Sequence, residues 1–74
     1  MNIEVFYSNV EAERARRGWT ISQISEKLNI TEKTYRNRLA NAKDLPASDV
    51  YALAMLFDVS ADYLLGLSDK IGRA

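Results

Sequence analysis

The chain has 74 residues, 47% of them hydrophobic and 27% charged, the make-up of one small globular unit with one core. It holds no Cys and no His, which removes disulfides, Cys/His zinc sites, thiol nucleophiles and the usual general base. Basic and acidic side chains balance at ten each, so overall charge alone does not mark a binder of polyanions.

The first predicted helix covers about 4–17 and stops at Gly18, a usual residue just past a helix end, with Arg16 and Arg17 well placed in its last turn. Its apolar face starts as Ile3, Phe6, Tyr7 and Val10, then is interrupted by Glu13, Arg14 and Arg17. The second starts after Thr20, which has Gln23 at the spacing of a capping box, and places Ile21, Ile24 and Leu28 on one face. Asn29 suits the left-handed residue that ends a helix, and Ile30 is a plug for the turn. Thr31 is an N-cap for a third helix over about 32–40. Residues 41–45 form a loop, and Pro46 fits the first turn of a fourth helix that runs to Phe57, with Ala47, Val50, Leu53, Ala54 and Phe57 inward. Asp58 and Val59 lead to a short fifth helix capped by Ser60, holding Tyr63, Leu64 and Leu65 and closed by Gly66. No stretch alternates as a strand would. The reading is an all-α bundle of five helices over 1–67, followed by a polar tail over 68–74.

The longest apolar run, 51–57, is far shorter than the ~20 residues that cross a bilayer. Glu4 comes early and no basic-then-apolar pattern stands before it, so no export signal is read and the cytoplasm is the expected compartment. Neither a Gly-rich phosphate loop nor a pair of pocketed acids is present. Catalysis and a cofactor are therefore not expected.

Charge is unevenly spread. Residues 1–13 carry Glu4, Glu11 and Glu13, residues 14–43 carry eight Lys and Arg against Glu26 and Glu32, and residues 44–74 carry five Asp against Lys70 and Arg73. A basic middle between two acidic flanks can give one positive face that orients the molecule on a polyanion.

The informative segment is 20–39, two helices of about eight residues joined by the tight Asn29-Ile30-Thr31 turn, the arrangement of a DNA-reading helix-turn-helix. With Tyr35 and Leu39 inward, Lys33, Arg36, Asn37 and Ala40 point outward and Glu32 lies at the edge. Two cations suit guanine edges or phosphates, an amide suits adenine, and a small Ala permits close approach in the major groove. Thr20 and Ser22 can offer hydroxyls and unbonded backbone N–H groups to a phosphate, and Asn41 and Lys43 make a second clamp. Each has a plainer reading beside it. The cationic face can be solvated surface, Glu32 can serve only the helix dipole, and Trp19 can be a corner plug or a ligand platform. Tyr51, Met55, Leu64, Leu65 and Leu67 either complete the core or form a surface for a second copy.

Arg14, Arg17-Gly18-Trp19-Thr20, Ile24-Ser25-Glu26-Lys27-Leu28, Ile30-Thr31-Glu32-Lys33-Thr34-Tyr35 and the ending Phe57-Asp58-Val59-Ser60-Ala61-Asp62-Tyr63-Leu64-Leu65-Gly66 resemble the phage Cro/repressor-type, XRE-like helix-turn-helix family. The resemblance covers about residues 6–68. It implies a lambda-repressor-like bundle of five helices that binds palindromic operators as a homodimer, with base-reading positions at Glu32, Lys33, Thr34 and Asn37, to which the outward face adds Arg36. It places backbone contacts at the start of the second helix and at 41–43, so that Thr20, Ser22, Gln23, Thr31, Asn41 and Lys43 are the phosphate candidates. Three positions depart from the family. Ile21 replaces a frequent Gln, leaving Ser22 or Gln23 to make that contact. Leu39 replaces the Glu that pairs the first-helix Arg, leaving Arg14 without that partner. Glu13 and Arg38 stand at usually apolar positions and are expected to face each other as an ion pair. The expected function is transcriptional repression, with double-stranded DNA as partner. The rival is a module of the same fold that binds a regulatory protein partner.

Overall fold

The computed structural model describes residues 3–69 and 72. Five helices follow one another, α1 (Ile3–Arg16), α2 (Ile21–Leu28), α3 (Glu32–Asn41), α4 (Ala47–Phe57) and α5 (Ala61–Leu64), with no strand among the described residues. None of these helices is long and apolar enough to cross a membrane. Lys70 and Arg73, which enter the charge reading of the tail, lie outside the described residues.

Local signals fix most of the ends. Thr20 Oγ1 accepts the Gln23 backbone N–H at 3.0 Å while Gln23 Oε1 accepts the Thr20 N–H at 2.8 Å, the full capping box. Asn29 takes the left-handed conformation at φ 58°, and Ile30 N–H then closes on the Ser25 carbonyl. Asp58 at φ 55° closes α4 in the same way, and so does more than link α4 to α5. Pro46 is the residue before α4, not part of its first turn; its extended backbone (ψ 138°) turns its carbonyl toward Asp49 and Val50 N–H. The Ser60 N–H donates to the Gly72 carbonyl at 3.0 Å, which ties Gly72 to the start of α5. Gly66 is held at φ +76°, and a Cβ there would lie 2.6 Å from Val5 Cγ1. Conformation and space both demand glycine.

The core is Phe6, Tyr7 and Val10 of α1, Ile24 of α2, Tyr35 of α3, Leu53, Ala54 and Phe57 of α4, then Val59 and Leu64. The interrupted pattern of α1 now has its cause: Glu13 occupies the next position of the buried stripe and is 1% exposed. It does not face Arg38, as the sequence reading expected. Its carboxylate accepts from Arg17 at 2.6 Å, from Tyr63 Oη at 2.8 Å, and pairs Arg16 at 3.3 Å. Arg17 directly follows α1, four residues on from Glu13, so it reaches Glu13 without crossing the core, while Arg38 pairs Asp49 of α4 at 3.4 Å. Arg14, expected to lack a partner, has one on its own helix: Glu11 takes both its Nε (2.8 Å) and Nη2 (3.1 Å). Asn9 donates to the Tyr63 and Leu64 carbonyls and so satisfies the end of α5.

One buried polar atom is left over. Ser25 is 2% exposed and its hydroxyl has no hydrogen-bond partner among the described residues. An orphaned buried hydroxyl costs ~1–3 kcal/mol, and alanine keeps the rest of the side chain. Ser25→Ala is therefore expected to stabilise the fold by about 1 kcal/mol, raising the thermal midpoint by roughly 4–8 °C in a melting curve.

Candidate nucleic-acid interface

The start of α2 and the outward side of α3 are set by two consecutive caps. At the first, the capping box engages the acceptor of Thr20 and the carbonyl of Gln23, which leaves the Thr20 hydroxyl proton and the Gln23 amino group as donors at the surface. Ser22 is exposed beside them. At the second, Thr31 Oγ1 accepts the Thr34 N–H at 3.1 Å and donates to Thr34 Oγ1 at 2.9 Å. The Thr31 hydroxyl proton is thus already used inside the cap, and Thr34 is half-buried. These two are the weakest contact positions of those the sequence suggested.

Tyr35 is the inward anchor of α3 at 2% exposure, and Leu39 is half-buried behind it. With that face fixed, Glu32, Lys33, Arg36, Asn37 and Ala40 are all exposed, as the helical wheel placed them. They are not equally available. Arg36 Nη1 pairs Glu32 Oε1 at 3.3 Å one turn away, an exposed pair of small energetic weight. Asn37 Oδ1 accepts from Asn41 Nδ2 at 3.0 Å. Lys33 has no ion pair among the described residues. Asn37, Asn41 and Lys43 line one shallow groove with Asp44 and Asp49, so the 41–43 positions adjoin the end of the outward face. No hydrogen bond or ion pair among the described residues links the α2 group to the α3 group.

Trp19 takes the plug role of its two readings. It stacks on Phe57 at 5.7 Å between centroids, with Lys27 Nζ 4.7 Å from its ring and the Arg17 guanidinium 5.7 Å away. Of the apolar residues singled out toward the C-terminus, Leu64 is fully buried, while Tyr51, Met55 and Leu67 remain exposed at 51% or more.

The sequence reading missed Glu11. Besides Arg14, its Oε2 accepts the Tyr35 hydroxyl at 2.6 Å, from a residue 24 positions away in α3. The i,i+3 spacing to Arg14 was visible in the sequence, and the bond to Tyr35 was not. Burial pushes the Glu11 carboxyl up, but the bonds from Arg14 and Tyr35 and the Arg14 charge outweigh it, and the group ionises below its ordinary range. Burial first, and then the bond to Glu11, pushes the Tyr35 hydroxyl well above its usual value, so it stays a proton donor.

A helix-turn-helix family model matches residues 10–64, from the middle of α1 to the end of α5. In Bacillus subtilis (strain 168), a protein named "Uncharacterized HTH-type transcriptional regulator YobD" is 42% identical over 50 residues, which is 68% of this chain and 45% of that protein. The matched segment thus spans less than half of that relative's length. No solved structure matches the chain. The matched residues include both caps, the turn between α2 and α3, and the whole outward face of α3: the chain belongs to the XRE-type helix-turn-helix family.

Proposed function

We propose that this chain is a sequence-specific, duplex-DNA-binding unit of a transcriptional regulator. In this reading α3 lies in the major groove and presents Lys33, Arg36, Asn37 and Ala40 to base edges, with Glu32 and Thr34 at its N-terminal end. Thr20, Ser22 and Gln23 at the start of α2 meet one phosphate, Thr31 stands behind them, and Asn41 and Lys43 meet another. Two copies occupy a palindromic operator, and the outcome is repression of a phage or mobile-element promoter in the cytoplasm. Occupancy of the site is the whole mechanism, with no cofactor and no reaction.

The single observation that carries this reading is the exposed outer face of α3, where cations and an amide sit on a helix whose other side is anchored by buried Tyr35. Family membership and a relative named as a transcriptional regulator support it. Selection of duplexes from random sequence, then titration of the winner at several salt concentrations, tests it. A palindromic motif is expected, and log K should fall linearly with log salt by close to one unit for each phosphate neutralised. No enriched motif, with only weak binding indifferent to salt, would move the chain to the protein-binding rival.

A further inference from the structure

Resting on that DNA reading, we infer that Glu11 is a positioning residue that holds α3 and the start of α2 in one geometry for sequence reading. Three side chains and one carbonyl form an unbroken run. Tyr35 Oη of α3 donates to Glu11 at 2.6 Å, Glu11 takes two bonds from Arg14, and Arg14 Nη1 donates to the Trp19 carbonyl at 2.6 Å. Trp19 is the residue immediately before the N-cap of α2. One carboxylate of α1 therefore fixes both elements that carry the proposed DNA contacts.

The other side-chain attachments of α3 are less directional. The Tyr35 ring and Leu39 hold it by apolar packing, which is not directional. Its further polar tie to another helix, Arg38 to Asp49, is long at 3.4 Å and partly exposed. A short hydrogen bond to a charged acceptor is directional and stiff. Turning α3 about its axis carries the Tyr35 hydroxyl off Glu11, and it turns Lys33 and Asn37, two residues to either side, by the same angle. Binding constellations tolerate only about 0.5 Å and 10–20° of such error. Glu11 touches no base in this arrangement; it acts through Tyr35 and Arg14.

Tyr35→Phe removes the hydroxyl and keeps the ring in the core, and Glu11→Met keeps the length of the side chain and removes both acceptor oxygens. Both are measured beside Val59→Ala, which weakens the core outside the network. In the free chain, backbone amide residual dipolar couplings are expected to show α3 reoriented against α1 in Tyr35→Phe and Glu11→Met but not in Val59→Ala. On the selected duplex, Tyr35→Phe should lose about tenfold in affinity while binding to a scrambled duplex and the salt slope stay as in wild type. Val59→Ala should leave the ratio of the two affinities unchanged for the folded protein. Unchanged couplings in both network variants overturn the positioning role, as does an unchanged ratio in Tyr35→Phe. A wild type that selects no duplex overturns the DNA reading instead, and the couplings still decide whether Glu11 orients α3.

Discussion

Glu13→Ala is expected to lower the thermal midpoint by more than about 12 °C, enough to unfold much of the population near body temperature. Removing one partner of a buried ion pair costs ~3–5 kcal/mol, against a total stability of roughly 4–11 kcal/mol for a chain of this length. Here the Tyr63 hydroxyl loses its acceptor, Arg17 keeps only its bonds to the Glu13 and Phe57 carbonyls, and Arg16 turns to solvent, while the site of a carboxylate that is 1% exposed is left empty in the core. Arg17 is also the bridge to α4, donating to the Phe57 carbonyl at 2.6 Å and lying 4.8 Å from the Phe57 ring. Loss of Glu13 thus loosens α1, α4 and α5 together. Glu13→Gln keeps an acceptor for Tyr63 and should cost less. A melting curve of Glu13→Ala within a few degrees of wild type would show that the cluster contributes no net stability.

The same cluster sets the acid limit of the fold. Burial pushes the Glu13 carboxyl up, but the bonds from Arg17 and Tyr63 and the charges of Arg16 and Arg17 together bring it below its ordinary value of 4.5, and Glu11 is lowered as well. A carboxyl that ionises more readily in the folded chain contributes stability that is fully present above the unfolded value. That contribution is lost as pH falls through the lower folded value. The thermal midpoint should therefore hold down to about pH 4.5 and fall below it. In a Glu13→Gln chain that acid limb is expected to be shallower, because the Glu13 contribution is gone while that of Glu11 remains.

What could be read from sequence was what is decided locally. Thr20 and Gln23, Asn29, Thr31 and Ser60 cap their helices through bonds spanning three residues, so type and spacing were sufficient. The outward face of α3 followed from one inward anchor and the 3.6-residue period. Polar pairing between elements was not readable. Glu13 and Arg38 both sit at positions where the resemblance expects apolar residues, and that shared departure is the one sequence signal for pairing them. Each instead found a nearer partner, Glu13 four residues along the chain and Arg38 on α4 across the loop. Tyr35 read correctly as core by its ring, yet its hydroxyl needed an acceptor 24 residues away that only the packing of α3 on α1 reveals. At the candidate interface residue types are legible in the sequence, while their engagement is legible only in the structure. The Thr31 hydroxyl is taken by Thr34 and the Arg36 guanidinium by Glu32, whereas Lys33 stands clear of ion pairs among the described residues.

Asn37→Ala and Lys43→Ala should separate reading from holding, and they do so with opposite signatures. Asn37 lies at the centre of the exposed face of α3, and an amide there can accept from the adenine amino group and donate to its ring nitrogen at once. Its carbonyl already accepts from Asn41, so on DNA that acceptor shares its second lone pair or releases Asn41 toward a phosphate. Truncation to alanine removes both bonds to the base, expected to cost about 1–3 kcal/mol, roughly ten- to a hundredfold, on the selected duplex. The preference at one base pair in each half-site should relax, with the salt slope unaltered. Lys43 is exposed beyond the end of α3 and offers charge without a planar pattern. Lys43→Ala should weaken selected and scrambled duplexes alike and reduce the log–log salt slope by close to one unit for each subunit bound. Repeating the duplex selection with each variant, then titrating the winners at three or more salt concentrations, checks both. An unchanged motif, with selected and scrambled duplexes weakened alike in Asn37→Ala, would assign that residue to the backbone. The base-reading face would then contract to Lys33 and Arg36, with Arg36 available only after its pair with Glu32 opens.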